Sequence, residues 1–368
     1  MGNQIDLRAL SEIHSAAMSL AVTYQNLEDG PFSDTIQGAI QWKDIAACVG
    51  TFLESVKSEL LSQSKAFVPE LAETCSQVLS CQGKLLRPTV FALTASSIGK
   101  LDKKCVTVAA VIEMIHLASL IHDDVIDGAD TRRKQPTLAH LCGNKAAILL
   151  GDCILSQAAY LASSLGNEQV TQKILSSARS ICIGETLQSL HTREIRTREQ
   201  YFKVISLKTG ELFALASELG ALMAGASPDL CGQTRQYGMA LGTAYQLYDD
   251  CVDIFSSEMV SGKSQGIDLS IGKQTLPILL LLEKTDASDQ KQVLSILENW
   301  TPERTSELIP FLKRYSILSS CISIEENILS EASQAISELS PSESRLCLER
   351  LIRFISQQIN NLLLNKKI

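Results

Sequence analysis

The chain has 368 residues, of which 45% are apolar and 20% are charged. This composition excludes a largely disordered protein, and the length is sufficient for a large buried core. The formal net charge of −8 at pH 7 excludes a general nucleic-acid-binding protein, because such proteins need a basic surface.

The eleven cysteines are irregularly spaced, with neither a C-x-x-C pair nor the spacing of a zinc finger. We therefore expect reduced thiols and a cytoplasmic location. No uncharged apolar run reaches 18 residues, so no stable membrane insertion is expected. Residues 1–10 lack the basic stretch and apolar run of a secretory signal. Residues 1–45 are predicted to form a helical extension ahead of one domain over residues 46–368.

The main body is predicted to be helical throughout. Residues 89–135 and 137–227 contain no proline, and apolar residues recur three or four positions apart without strand-like alternation. Segments 103–127 and 231–255 are apolar around most of the helix, which predicts two central helices. The sequence therefore indicates an all-α fold, a large helical bundle.

Two acidic clusters of the same Asp-Asp-x-x-Asp form end the two central segments. The first cluster is Asp123, Asp124 and Asp127, and the second cluster is Asp249, Asp250 and Asp253. A four-residue spacing places the outer carboxylates of each cluster on one helix face. An isolated pair of this kind is usually a solvated helix face. The duplication on apolar helices, each followed by a loop rich in Gly, Lys and Arg, favours a function.

Electrostatics indicates what that function requires. Two like charges about 4 Å apart repel by roughly 4 kcal/mol at an effective dielectric constant near 20. Two facing clusters would need divalent cations between them. Oxygen ligands suit Mg²⁺, which commonly uses one or two carboxylates together with substrate phosphates. All six aspartates are therefore candidate ligands in a magnesium–diphosphate site between two helices.

Basic residues stand beside both clusters, where they could bind diphosphate. Any one of them alone would be read as a surface charge, but their placement favours anion binding. Lys208 and Thr209 are predicted to open a helix and offer its amides. The phosphate-loop pattern of NTPases is absent. The other candidates are Lys84, Arg87, Arg132, Arg133, Lys134, Lys263 and Lys273.

At these residues the chain resembles the trans-polyprenyl diphosphate synthases. The stretches that carry the resemblance are GKLLRP at 83–88, EMIHLASLIHDDVIDGADTRRKQPT at 113–137, GNKAAILLGD at 143–152, LKTGELFALASELGA at 207–221, and YQLYDDCVDIF with GKSQGIDLSIGKQTLP. The resemblance covers roughly residues 45–360 in order and spacing. The resemblance implies an all-α bundle around a deep cavity, usually a homodimer, that joins allylic diphosphates to isopentenyl diphosphate.

The resemblance also implies residue roles. About three Mg²⁺ would be bound by the two clusters. The catalytic residues would be Asp123, Asp127, Asp249, Lys208 and Gln246. The allylic diphosphate would contact Arg132, Lys208, Thr209, Gln246, Lys263 and Lys273, and isopentenyl diphosphate would contact Lys84, Arg87, His116 and Arg133. The chain departs from the family at Leu85, Lys134, Tyr245 and Ile267, none of which is an implied ligand.

Product length is predicted from the residues four and five positions before the first cluster. Short-chain synthases often place aromatic side chains there as a floor, whereas this chain has Ala118 and Ser119. Each helical turn of about 5.4 Å below would add room for roughly one C5 unit. We therefore predict a long product of about C30 to C50. A shorter geranylgeranyl or farnesyl product is the alternative.

Two other functions agree less well with the sequence. A class I terpene cyclase would have an Asn/Ser/Glu-type second motif and would lack GKLLRP. A non-catalytic synthase subunit would lack some of the aspartates or basic residues, and all are present.

Overall fold

The computed structural model describes residues 40–80, 83–132, 135–190, 197–256 and 266–364. Most of the predicted N-terminal extension, residues 1–39, lies outside the described residues, as do the candidate ligands Arg133 and Lys263 and their neighbour Lys134.

The described residues are almost entirely helical, which confirms the predicted all-α class. In chain order the α-helices are α1 (Trp42–Ala47), α2 (Gly50–Gln63), α3 (Pro69–Ser80), α4 (Leu86–Ile98), α5 (Lys103–Ile126), α6 (Leu138–Cys142), α7 (Asn144–Ser164), α8 (Glu168–Leu190), α9 (Arg198–Ile205), α10 (Glu211–Met223), α11 (Pro228–Phe255), α12 (Ile267–Ser270), α13 (Leu276–Lys284), α14 (Ala287–Glu298), α15 (Thr305–Arg314), α16 (Ile317–Ala335) and α17 (Glu343–Leu364).

The two predicted central helices are α5 and α11. Asp102 begins α5 by accepting a hydrogen bond from the Cys105 amide at 2.9 Å, and Ser227 caps α11 in the same way ahead of Pro228. The helices are about 36 and 42 Å long at 1.5 Å per residue. Both are buried over most of their circumference. They therefore span the bundle and carry their acidic clusters near their C-terminal ends.

Close packing against α11 depends on a small residue. A Cβ atom on Gly238 would lie 2.3 Å from the Phe213 carbonyl oxygen, so only glycine lets α10 approach α11 this closely. On its other side α10 packs against α4. The close contact between α10 and α11 brings the C-terminal part of α11 next to the start of α10.

Residues 198–223 form one continuous helical run. It begins with a capping box in which Thr197 and Gln200 each bond the other's backbone amide. Residues 206–210 form a π-helical turn between α9 and α10. The prediction that Lys208 and Thr209 open a helix was therefore wrong, because the helix starts ten residues before Lys208, at Arg198. Their amides lie within a helix, and a π turn is frequent at functional sites.

A small hairpin follows α5. Residues 131–132 (β1) pair antiparallel with residues 135–136 (β2), the only ladder in the described part of the chain. Gly128 has φ +63°, a left-handed conformation that glycine adopts without strain, and it ends the helical path. The hairpin turns Arg132 back towards α5.

Two described helices, α5 and α7, could cross a membrane by length and composition alone. The most apolar window of α5 is 67% buried inside the bundle, as expected of a core helix, whereas that of α7 is only 33% buried. Core helices of globular proteins commonly pass this test, so it is weak evidence for a span. The absence of membrane insertion stays a prediction.

Candidate active site

Each carboxylate of the first cluster faces one of the predicted basic ligands. Arg132 Nε donates to Asp124 Oδ1 at 2.8 Å, and Lys208 Nζ lies 3.6 Å from Asp123 Oδ1. Lys273 Nζ donates to both oxygens of Asp127, at 2.9 and 2.8 Å. The three cations come from the hairpin, from the π turn and from the segment after α12. The fold thus gathers three distant basic residues around one acidic helix end.

Burial changes the acidity of this cluster. It raises the pKa of Asp123 to about 6, although Lys208 opposes the shift. Burial also raises the pKa of Asp124, against the charge and hydrogen bond of Arg132. The carboxylates are therefore poorly solvated and depend on nearby positive charge.

Glu185 of α8 is a further acidic residue at this site. Its carboxylate forms an ion pair with Lys208, which consequently lies between Glu185 and Asp123. The preceding residue, Gly184, makes the contact sterically feasible, because a Cβ there would lie 2.9 Å from the Lys208 amide nitrogen. Sequence reasoning did not identify Glu185. The Gly-Glu pair on an otherwise periodic helix is the signal that could have drawn attention to it.

The second cluster is held differently. Asp250 is 4% exposed, and its two oxygens accept hydrogen bonds from Tyr201 Oη at 2.6 Å and from Gln246 Nε2 at 2.8 Å. Gln246 Oε1 in turn accepts from Thr209 Oγ1 at 2.8 Å. Gln246 and Thr209 were predicted as substrate contacts, whereas Tyr201 was not identified from the sequence. These bonds tie α11 to α9 and to the π turn that carries Lys208.

Asp253 and Asp249 complete the second cluster. Asp253 Oδ1 accepts from the Ile267 amide at 3.1 Å, and the Gly266 amide donates to the Asp253 carbonyl oxygen at 3.0 Å. Burial, and secondarily the charge of Asp268, raises the pKa of Asp253 to about 7. Asp249 is half-buried on the same helix. Asp253 is thus less acidic than a free carboxyl group would be.

The oxygen donors fit Mg²⁺. Asp253 Oδ2 is buried and has no hydrogen-bond partner among the described residues, so it can accept a cation without losing a bond. No three acidic, His or Cys side chains in the described part of the chain lie close enough to form a complete metal site. Mg²⁺ commonly keeps substrate phosphates and water among its ligands.

The residues implied for isopentenyl diphosphate are arranged less clearly. Arg87 is 9% exposed and lies over the Phe213 ring, 4.7 Å from its centroid. Burial lowers its pKa, against the charges of Glu113 and Tyr245. Its Nε atom has no hydrogen-bond partner among the described residues. Lys84 and His116 are half-buried.

The structure also gives the surroundings of Ala118, Ser119 and His122 on α5. Ala118 is buried, and Ser119 is half-buried with its hydroxyl donating to the His116 carbonyl oxygen at 2.8 Å. His122 directly precedes the first cluster. Its Nε2 lies 3.3 Å from Asp152 Oδ1 and 3.2 Å from the Ile148 carbonyl oxygen, so it links the first cluster to α7.

Comparison with known proteins agrees with this fold. The sequence profile of the family described as Polyprenyl synthetase matches residues 68–311. The chain is 31% identical over 293 residues to a short chain isoprenyl diphosphate synthase of Methanothermobacter thermautotrophicus, covering 78% of this chain and 90% of that protein. It is 32% identical over 288 residues to the octaprenyl diphosphate synthase of Escherichia coli, covering 78% and 88%.

A solved structure gives the same result. The crystal structure of a decaprenyl diphosphate synthase from Rhodobacter capsulatus superposes with a TM-score of 0.81 at 26% identity, covering 87% of this chain and 99% of that one. The chain belongs to the polyprenyl synthetase family, which confirms the resemblance seen in the sequence.

Proposed function

We propose that this prenyltransferase is a Mg²⁺-dependent trans-polyprenyl diphosphate synthase that adds isopentenyl diphosphate to an allylic diphosphate. The observation that supports it best is that each of the three first-cluster carboxylates lies beside a basic residue, namely Lys208, Arg132 or Lys273. Such an assembly of opposite charges can bind a diphosphate together with divalent cations.

The proposed metal ligands are chosen from among the aspartates of the two clusters. When bound, Mg²⁺ would neutralise negative charge that develops on the leaving diphosphate. Burial and pKa values raised to about 6 and 7 indicate that Asp123 and Asp253 are poorly compensated without a cation. The number of ions, about three, rests on the family resemblance.

The proposed reaction needs no side chain to act as a base. The allylic C–O bond breaks, and the diphosphate leaves with both bonding electrons. The double bond of isopentenyl diphosphate then forms the new C–C bond, and the proton lost from it passes to the released diphosphate. Arg132, Lys208 and Lys273 would hold the allylic diphosphate, with Lys263 assisting. Lys84, Arg87, His116 and Arg133 would bind isopentenyl diphosphate.

The length of the product is a further part of the proposal. The named relatives include both a short chain and an octaprenyl synthase, so family membership alone leaves the length open. Small side chains at Ala118 and Ser119 favour a cavity that continues along α5 past Ile115 and Ile112. We therefore propose a long product of about C30 to C50, since each helical turn adds about 5.4 Å.

The second copy of this chain is the proposed partner for the exposed face of α7 and α8. Charged residues of both signs, Lys145, Asp152 and Arg179, are exposed on these helices, which suits a two-fold pairing better than a lipid surface. We also propose a cytoplasmic location for the protein. The exposed large apolar residues of this face are Ile148, Leu149, Tyr160, Leu175, Ile183 and Leu190.

One assay tests the proposed reaction. Purified protein is incubated with radiolabelled isopentenyl diphosphate, farnesyl diphosphate and Mg²⁺, and the dephosphorylated products are sized by chromatography. We expect elongated prenols that disappear when EDTA is added or when Asp249 is replaced in Asp249→Ala. The control is Asp229→Ala, an exposed aspartate at the start of the same helix. Activity that persists in EDTA and in Asp249→Ala would refute the metal site.

A further inference from the structure

A chain of three side-chain hydrogen bonds connects α9 to the π turn by way of α11. Tyr201 donates to Asp250, Gln246 also donates to Asp250, and Thr209 donates to Gln246, over donor–acceptor distances of 2.6, 2.8 and 2.8 Å. Resting on the function proposed above, we propose that Tyr201 and Asp250 are positioning residues. They orient Gln246 and Thr209 so that the Thr209 oxygen stabilises the allylic cation.

The direction of each bond follows from the chemistry of the groups. Asp250 Oδ1 can only accept from Gln246, so the amide nitrogen of Gln246 must face it. The amide oxygen of Gln246 is then directed at Thr209 and takes the hydroxyl hydrogen. Thr209 Oγ1 therefore has only lone pairs to offer any other neighbour.

The position of Thr209 indicates a role for the lone pairs of its hydroxyl oxygen. Thr209 follows Lys208 in the π turn, and Lys208 Nζ is 3.6 Å from Asp123 of the first cluster. An oxygen that presents only lone pairs beside the site of diphosphate departure would stabilise positive charge on the allylic carbons. A rotated Thr209 hydroxyl would instead present its hydrogen and oppose that charge. The hydrogen-bonded chain prevents the rotation.

The network is shielded from water. Tyr201 is 3% exposed and Asp250 is 4% exposed, so no solvent competes for either bond. Asp250 was predicted as a metal ligand, but both of its oxygens already accept hydrogen bonds from protein groups. We therefore assign Asp250 to positioning instead. Asp249 and Asp253 remain the proposed ligands of the second cluster.

The first test is Tyr201→Phe, which removes one hydroxyl and leaves the ring. We expect kcat to fall about three- to tenfold, the rate equivalent of one hydrogen bond, with KM for both substrates unchanged. The matched control is Tyr237→Phe, another buried tyrosine, whose hydroxyl donates to the Leu348 carbonyl oxygen at 3.1 Å. It should leave kcat unchanged. An unchanged kcat in Tyr201→Phe, or equal losses in both variants, would overturn the inference.

The second test separates positioning from metal binding and needs no Tyr201 variant. Asp250→Asn can still accept from Gln246, so we expect it to keep kcat within about tenfold of wild type and to show the same Mg²⁺ dependence. Asp250→Ala removes the acceptor and should lose more activity. If Asp250→Asn instead raises the Mg²⁺ concentration needed for half-maximal activity, Asp250 is a ligand and the inference fails.

A double-mutant cycle tests whether Tyr201 acts through Thr209. Tyr201→Phe and Thr209→Val should lower kcat by less together than the product of their separate effects, because both break one chain. Independent, multiplicative effects would show that Tyr201 does not act through Thr209. The proposed function fails on different evidence, namely the absence of Mg²⁺-dependent elongation by the wild-type enzyme.

Discussion

The Lys273 ammonium donates to both carboxylate oxygens of Asp127, at 2.9 and 2.8 Å, across 146 positions of sequence. Asp127 follows α5 at the end of the first cluster, and Lys273 lies beyond α12, after the second cluster. The segments after the two central helices therefore meet at one end of the bundle. This contact brings the segment that follows the second cluster to the end of the first cluster.

Replacing Lys273 by Met should weaken binding of the allylic substrate. The substitution keeps the stem and removes a half-buried charge that we expect to contact diphosphate, so kcat/KM should fall about ten- to hundredfold. Steady-state kinetics with farnesyl diphosphate as the varied substrate measures it. Lys291→Met, an exposed lysine of α14, is the control and should behave as wild type. Equal kinetics in both variants would argue against a diphosphate contact.

Introducing Phe at Ser119 should shorten the product. The half-buried Ser119 lies one turn before Asp123, and an aromatic ring there would fill the path below the first cluster. Thin-layer chromatography of the dephosphorylated products gives the chain lengths. Ser119→Ala, which adds no bulk, should leave them unchanged. If Ser119→Phe makes products of wild-type length, α5 does not form the floor.

The Mg²⁺ requirement should increase in acid. In the metal-free protein the pKa values of Asp123 and Asp253 are raised to about 6 and about 7, mainly by burial. Below these values protons compete with Mg²⁺ for the carboxylates. The Mg²⁺ concentration that gives half-maximal activity should therefore rise as the pH falls from about 8 to about 6. A requirement that does not change with pH would contradict this competition.

Glu325 of α16 should make the fold less stable in alkali. Its side chain is fully buried, and burial, with a smaller effect of Glu326, raises its pKa from 4.5 to about 9. The folded state therefore binds a proton that the unfolded state loses above pH 4.5. The stabilisation is complete below 4.5 and is lost as the pH rises through about 9.

Thermal unfolding followed by circular dichroism tests this behaviour. The melting temperature of the wild type should fall steadily between the two pKa values of Glu325 and level off above the upper one. Glu325→Gln has nearly the same shape and cannot ionise, so its melting temperature should depend less on pH. Identical pH profiles for the two proteins would show that Glu325 is charged in the folded state.

Charge placed on the exposed face of α7 should separate the two copies. Leu149 is 54% exposed, and Leu149→Glu would bury a carboxylate in the proposed interface at a large cost. Sedimentation velocity should show a dimer for the wild type and a monomer for this variant. Leu346→Glu, at a residue of α17 that is 53% exposed, is the control and should remain dimeric. A monomeric wild type would exclude the homodimer.

The sequence identified much of the candidate site because spacing carries the information. Two Asp-Asp-x-x-Asp clusters on apolar helices predicted paired helix ends, and the structure has them on α5 and α11. It misplaced Lys208, because nothing in local propensity distinguishes a helix start from a π turn within a longer helix. It missed Glu185 and Tyr201, whose side chains look like ordinary helix residues until their partners are known.

By itself the sequence determined the all-α class, the two central helices and the chemistry of the clusters. Hydrophobic periodicity and carboxylate spacing are local properties, and the helix repeat converts them directly into faces. Only the tertiary structure decided that Lys273 meets Asp127 and that Tyr201 reaches Gln246 through Asp250. Those contacts depend on how distant helices pack and on which polar groups must be satisfied when water is excluded.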